Sequence, residues 1–65
     1  MIIEIRYSNG SRVRCGTRAD AIATLEAMGL YVYDDGGRTL AWRTEEEARD
    51  DDGQRAVAEV VEVSP

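Results

Sequence analysis

Six carboxylates fall within the nine residues from Thr44 to Asp52, namely Glu45, Glu46, Glu47, Asp50, Asp51 and Asp52, and Arg49 is the single base among them. Carboxylates at this density can ligate a hard cation, work as an acid–base pair, or present negative charge to something basic. The first use is testable by spacing. Asp50, Asp52, Gly53 and Glu59 fall at the third, fifth, sixth and twelfth positions of a calcium-binding loop, but the first position is Ala48 and the eighth is Arg55. A loop that lacks its leading ligand and carries a cation inside it is a poor calcium site, so no metal is expected. The second use needs a substrate cleft of several hundred Å³, and a chain of 65 residues has little room for one.

Other catalytic chemistry is excluded more directly. The chain has no histidine, and all eight of its cationic residues are arginine, so neither His nor Lys is present to activate a nucleophile. Cys15 is the only thiol; without a neighbouring base it reads as a core residue rather than a reactive one. The glycines fall at turns and form no phosphate cradle. The expectation is a protein that is not an enzyme and uses no cofactor.

The third use remains. An acidic surface centred on Glu45, Glu46, Glu47, Asp50, Asp51 and Asp52, and extended by Asp34 and Asp35, can imitate nucleic-acid phosphates and occupy the basic groove of a larger protein. Duplex DNA offers one charge per about 1.7 Å of axis. A helix rises about 1.5 Å per residue but turns about 100° each time, so Glu45 to Glu47 cannot all face one partner and the neighbouring acids must complete the surface. In size and acidity the chain resembles the small phage-encoded inhibitors of CRISPR and restriction systems, a group that shares no common motif. That resemblance implies an inhibitor that binds a basic, nucleic-acid-handling protein or complex. The alternative is a small structural or accessory protein that homodimerises through its valine-rich C-terminal strand and whose acids serve solubility only.

Charge along the chain bears on both. Residues 1–18 hold four arginines against one glutamate, a net of +3, whereas residues 19–65 hold four arginines against twelve acids, a net of −8. An acidic chain is repelled by phosphate at long range, and no aromatic and basic stacking platform is legible, so direct nucleic-acid binding is not expected. No long apolar run or targeting segment is present, and the lone thiol fits a reducing bacterial cytoplasm, in a cell of GC-rich genome or one infected by a phage that encodes the protein.

These residues must be positioned by a single domain, 1–65, small enough to be marginal by itself and therefore a candidate for self-association. Ile3, Ile5 and Tyr7 alternate with Glu4 and Arg6, predicting a strand, and Ser11 to Cys15 follow as a second. A three-residue loop of Ser8, Asn9 and Gly10 segregates the faces, setting Ile5 opposite Val13, Ile3 opposite Cys15 and Glu4 opposite Arg14, with Arg6 opposite Arg12 as the cost. Thr17 reads as an N-cap, with Ile22, Leu25 and Met28 as the apolar stripe of a helix closed by Gly29, and Arg18, Thr24 and Glu26 on its exposed side. Leu30 to Asp34 and Arg38 to Arg43 form a second hairpin. A three-residue loop there pairs Val32 with Leu40, while a Gly36-Gly37 turn pairs Tyr33 with Leu40 and Tyr31 with Trp42. The first places Leu40 and Trp42 under the helix and Gly37 at positive φ.

Thr44 to Glu47 form a capping box that begins a short helix, and Arg55 to Val63 form a final strand, apolar on both faces. That strand and the tyrosine face supply the candidate interface residues Tyr31, Tyr33, Val57, Val60, Val61 and Val63. The order β-β-α-β-β-short helix-β predicts an α+β fold, one small antiparallel sheet with the main helix packed on one face.

Overall fold

The alternation of Ile3 and Ile5 with Glu4 and Arg6 is realised as a strand, β1 (Ile2–Tyr7), whose apolar side faces the core. In the computed structural model, which describes residues 2–34, 38–49 and 55–63, β1 is followed by β2 (Arg12–Cys15), α1 (Arg18–Ala27), β3 (Tyr31–Asp34), β4 (Thr39–Trp42), α2 (Glu45–Arg49) and β5 (Ala58–Val63). The strands form one antiparallel sheet in the order β2-β1-β5-β4-β3, with α1 on one face, an α+β fold.

The first hairpin has the expected register, Ile3 opposite Cys15, Glu4 opposite Arg14, Ile5 opposite Val13 and Arg6 opposite Arg12. Gly10 makes this affordable to the backbone: its φ is +93°, and its N–H donates to the Tyr7 carbonyl at 3.0 Å. Asn9 fixes the loop further, its Oδ1 accepting from the Ser11 N–H at 2.9 Å.

Thr17 caps α1, its hydroxyl accepting from the Asp20 N–H at 3.0 Å. At the other end the Leu30 N–H donates to the Leu25 carbonyl (3.2 Å) and the Gly29 N–H to the Glu26 carbonyl (2.9 Å), the paired bonds of a Schellman cap, with Gly29 at φ +82°. The buried stripe, however, is Ala21 and Leu25; Ile22 is half-buried and Met28 is exposed. Met28 lies past the last helical turn, where its sulfur accepts from the Tyr7 hydroxyl at 3.5 Å. Arg18, expected on the exposed side, instead continues the core-facing stripe. Its Nη1 donates to the Thr39 hydroxyl, which is fully buried, and its Nη2 reaches Glu62 at 3.3 Å.

The helix connects β2, at one edge of the sheet, to β3, at the other, and so crosses a whole face. Beneath it Ile3, Ile5, Ala41, Ala58 and Val60 form the core with Ala21 and Leu25. Ala41 and Ala58 sit opposite each other under the helix, and their small side chains permit its close approach.

The second hairpin corrects the three-residue-loop alternative. Tyr31 pairs with Trp42, Tyr33 with Leu40 and Asp34 with Thr39, the register of the two-residue turn. Val32, Thr39 and Ala41 therefore lie on the α1 side, while Leu40 and Trp42 join Tyr31 and Tyr33 on the opposite face. Volume decides this: an indole under α1 would compete with Leu25 for space, whereas on the far side Trp42 is buried beyond the α1 cluster and α2 packs against its strand. Gly37 lies outside the described residues.

The last strand begins at Ala58, three residues later than expected, though the Val57 N–H still donates to the Ala41 carbonyl at 2.8 Å. It occupies the middle of the sheet, hydrogen-bonded to β1 on one side and β4 on the other. Both its edges are used. Its apolar residues divide as the sequence implies, Ala58 and Val60 toward α1 and Val61 and Val63 away from it.

Candidate functional site

Thr44 starts α2, its hydroxyl accepting from the Glu47 N–H at 3.1 Å and its carbonyl from the Ala48 N–H at 3.3 Å. The three glutamates of the first turn are favourably placed for the helix dipole. Glu45 and Glu46 are exposed and Glu47 is half-buried. Glu45 pairs with Arg49 at 3.2 Å, one turn on; among the described residues neither Glu46 nor Glu47 makes an ion pair. Successive residues fan round the helix axis by about 100°, so the three carboxylates form a cap rather than a row.

The remaining acids of the expected surface are not all near. Asp34 is exposed at the far end of β3, opposite Thr39, whereas α2 follows the other end of the β3–β4 ladder, beyond Trp42. Three residues of strand, about 10 Å, separate those ends. Asp34 and α2 therefore do not form one continuous surface through the hairpin. Asp35, Asp50, Asp51 and Asp52 lie outside the described residues, as does Gly53 of the calcium-loop pattern. Among the described residues no group of three or more Asp, Glu, Cys or His side chains is placed to hold a metal. Cys15 is half-buried beside the core.

A second charged group was not singled out from the sequence. On the face opposite α1, Glu4 is buried to 7% exposure by the side chains around it, close to the surface. Its Oε1 accepts from Arg6 Nε at 2.8 Å, and Arg14 stands opposite it on β2. The Arg6 hydrogen bond, reinforced by the fields of Arg6, Arg12 and Arg14, holds the Glu4 carboxyl below its ordinary value against the opposing effect of burial. Glu59 joins the same face from β5, opposite both Arg6 and Leu40, and takes Arg38 at 3.5 Å. A shallow groove of about 260 Å³ runs here between Arg6, Arg38, Leu40 and Glu59. The hairpin register foretold the Glu4–Arg14 and Arg6–Arg12 neighbours. Their union with Glu59 and Arg38 depends on β5 pairing with both β1 and β4, for which no local pattern exists.

Of the candidate interface residues, Tyr33 is exposed, Tyr31, Val57, Val61 and Val63 are half-buried, and Val60 is buried against the α1 cluster. No described helix is long and apolar enough to cross a membrane. No family model matches the chain, and no curated protein or solved structure matches it significantly.

Proposed function

We propose that this chain is a non-enzymatic interaction protein that inhibits a basic, nucleic-acid-handling partner, its acids standing in for phosphates as in phage-encoded anti-CRISPR and anti-restriction inhibitors. One observation carries the reading. Four arginines pair with Glu4, Glu62, Glu59 and Glu45, yet Glu46 and Glu47 on α2 are without an ion pair among the described residues. Concentrated, uncompensated carboxylates on a short capped helix are suited to a basic surface. Asp50, Asp51 and Asp52 follow α2 directly in sequence, while Asp34, at the other end of the hairpin, makes a separate acidic point.

The test is capture of the partner from host lysate at low and high salt, followed by neutralisation of the acids in pairs. Retention of a nucleic-acid-handling protein that weakens with salt is expected, because exposed charges are screened over about 10 Å at 0.1 M. Glu45→Gln with Glu46→Gln, and Asp50→Asn with Asp51→Asn, should each slow association and flatten its salt dependence. Stability should change by at most about 1 kcal/mol per charge. Affinity and salt response unchanged by both pairs would leave the acids with a solubility role alone.

A further inference from the structure

We infer that β2, an edge strand of the sheet, docks an extended acidic peptide of a partner protein as a sixth strand, with the peptide's carboxylates seated on Arg12 and Arg14. The hydrogen-bond parity of the first hairpin locates the open edge. The Tyr7 N–H donates to the Ser11 carbonyl at 2.9 Å, so these two residues face each other through their backbones. That orientation alternates along an antiparallel ladder, which turns the N–H and C=O of Val13 and Cys15 toward β1 and those of Arg12 and Arg14 outward. The sheet order ends at β2, and among the described residues no other backbone bonds to its outer edge. The same two residues carry unanswered charge. Both are exposed and without an ion pair among the described residues; Arg12 stands opposite Arg6, a like charge, and Glu4, opposite Arg14, is already engaged by Arg6.

These features specify the occupant. A strand added antiparallel to β2 forms hydrogen-bonded pairs with Arg12 and Arg14, so its residues opposite them project on the arginine face with Cα atoms about 5.5 Å away, within reach of cross-strand ion pairs. The peptide residue between them lies opposite Val13, which is 42% exposed on the other face, and is therefore apolar. The motif is acid–apolar–acid in extended conformation: backbone hydrogen bonds to both arginines give affinity, and the alternating side chains give specificity. A second copy of this chain does not fit, because two β2 edges paired about a two-fold axis set four arginines on one face. Phosphates of a nucleic acid would satisfy the arginines, but they offer no strand backbone to the edge and nothing apolar to Val13. A contact over so short a strand is weak and transient. It lies at the sheet edge remote from β4 and α2, so it stands or falls independently of the inhibitor reading.

Amide hydrogen exchange of the purified chain, followed by NMR, tests this with an end-blocked heptapeptide that alternates glutamate and valine. Without peptide, the Arg12 and Arg14 amides should exchange faster than those of Val13 and Cys15. Saturating peptide should slow their exchange at least about tenfold and shift their resonances, leaving α2 unchanged. Replacing the peptide's glutamates by glutamine removes the charge, whereas N-methylating those same glutamates keeps the charge and removes the donors that face β2. Each should weaken binding at least about tenfold. Arg12→Glu with Arg14→Glu should lose the glutamate peptide and take up a lysine–valine peptide instead, a reversal that excludes misfolding as the cause of the loss. Arg12 and Arg14 amides left unprotected at about 1 mM peptide overturn the inference, since even a Kd of about 100 µM would then be saturated. So does binding indifferent to N-methylation, or a reversed variant that binds neither peptide. An oligothymidylate that binds at Arg12 and Arg14 more tightly than the peptide would assign the flank to nucleic acid instead.

Discussion

At the scale of single residues, Arg18 and Thr39 show how a polar contact can matter more for what its loss strands than for what it adds. The Thr39 hydroxyl is buried and accepts from Arg18, whereas the guanidinium keeps Glu62 and some access to water. Arg18→Ala should therefore cost about 1–3 kcal/mol, the penalty for a buried group left unsatisfied, while Thr39→Val, which removes that group altogether, should cost less than about 1 kcal/mol. Equal losses in urea titrations of the two variants would refute the asymmetry. Glu4 adds a pH dependence. Its folded carboxyl titrates below the reference of 4.5 because ionisation is favoured by the Arg6 hydrogen bond, so its contribution is present above that reference and disappears as pH falls through the lower folded value. Glu4→Gln should lower the urea midpoint at pH 7, and the gap to wild type should narrow at pH 3. A gap that widens on acidification would contradict the assignment.

At the scale of elements, the two glycines with positive φ close a hairpin and a helix. A Cβ at Gly10 or Gly29 meets no atom within 4 Å, so Gly10→Ala and Gly29→Ala test backbone conformation rather than space. Each should destabilise by about 1–2 kcal/mol in thermal melts, with Asn tolerated better than Ala, since Asn enters the left-handed region more readily. Ala and Asn variants of equal stability would argue against the cap and the bulge. Both features are legible in the sequence because they are local: Thr17 and Gly29 bracket a helical stripe, and Ser8-Asn9-Gly10 separates two alternating runs. The second hairpin was undecided locally, since Tyr31, Val32, Tyr33, Leu40 and Trp42 give both faces bulky groups under either register.

At the scale of the whole molecule, one helix covers one face, and Leu25 is its largest fully buried side chain. Leu25→Ala should cost about 2–5 kcal/mol, the transfer loss plus the cavity it leaves. At about 0.05–0.15 kcal/mol per residue, that is a large share of what a chain this size holds, so the variant should be substantially unfolded at 37 °C by circular dichroism. A melt within a few degrees of wild type would mean that α1 contributes little to stability.

The sequence by itself determined what is encoded over a few residues: the α+β class, the order of elements, both helix caps of α1, the first hairpin's register and the acidic start of α2. Alternation, capping and turn chemistry act between near neighbours, so they are readable without knowing where the chain goes next. Only the tertiary structure decided that β5 lies between β1 and β4, that Leu40 and Trp42 turn away from α1, that Arg18 folds inward onto Thr39, and that Asp34 and α2 occupy opposite ends of their hairpin. Each of these follows from volume and charge competing across strands far apart in sequence, where the winner is set by packing against α1 and by no pattern within either strand.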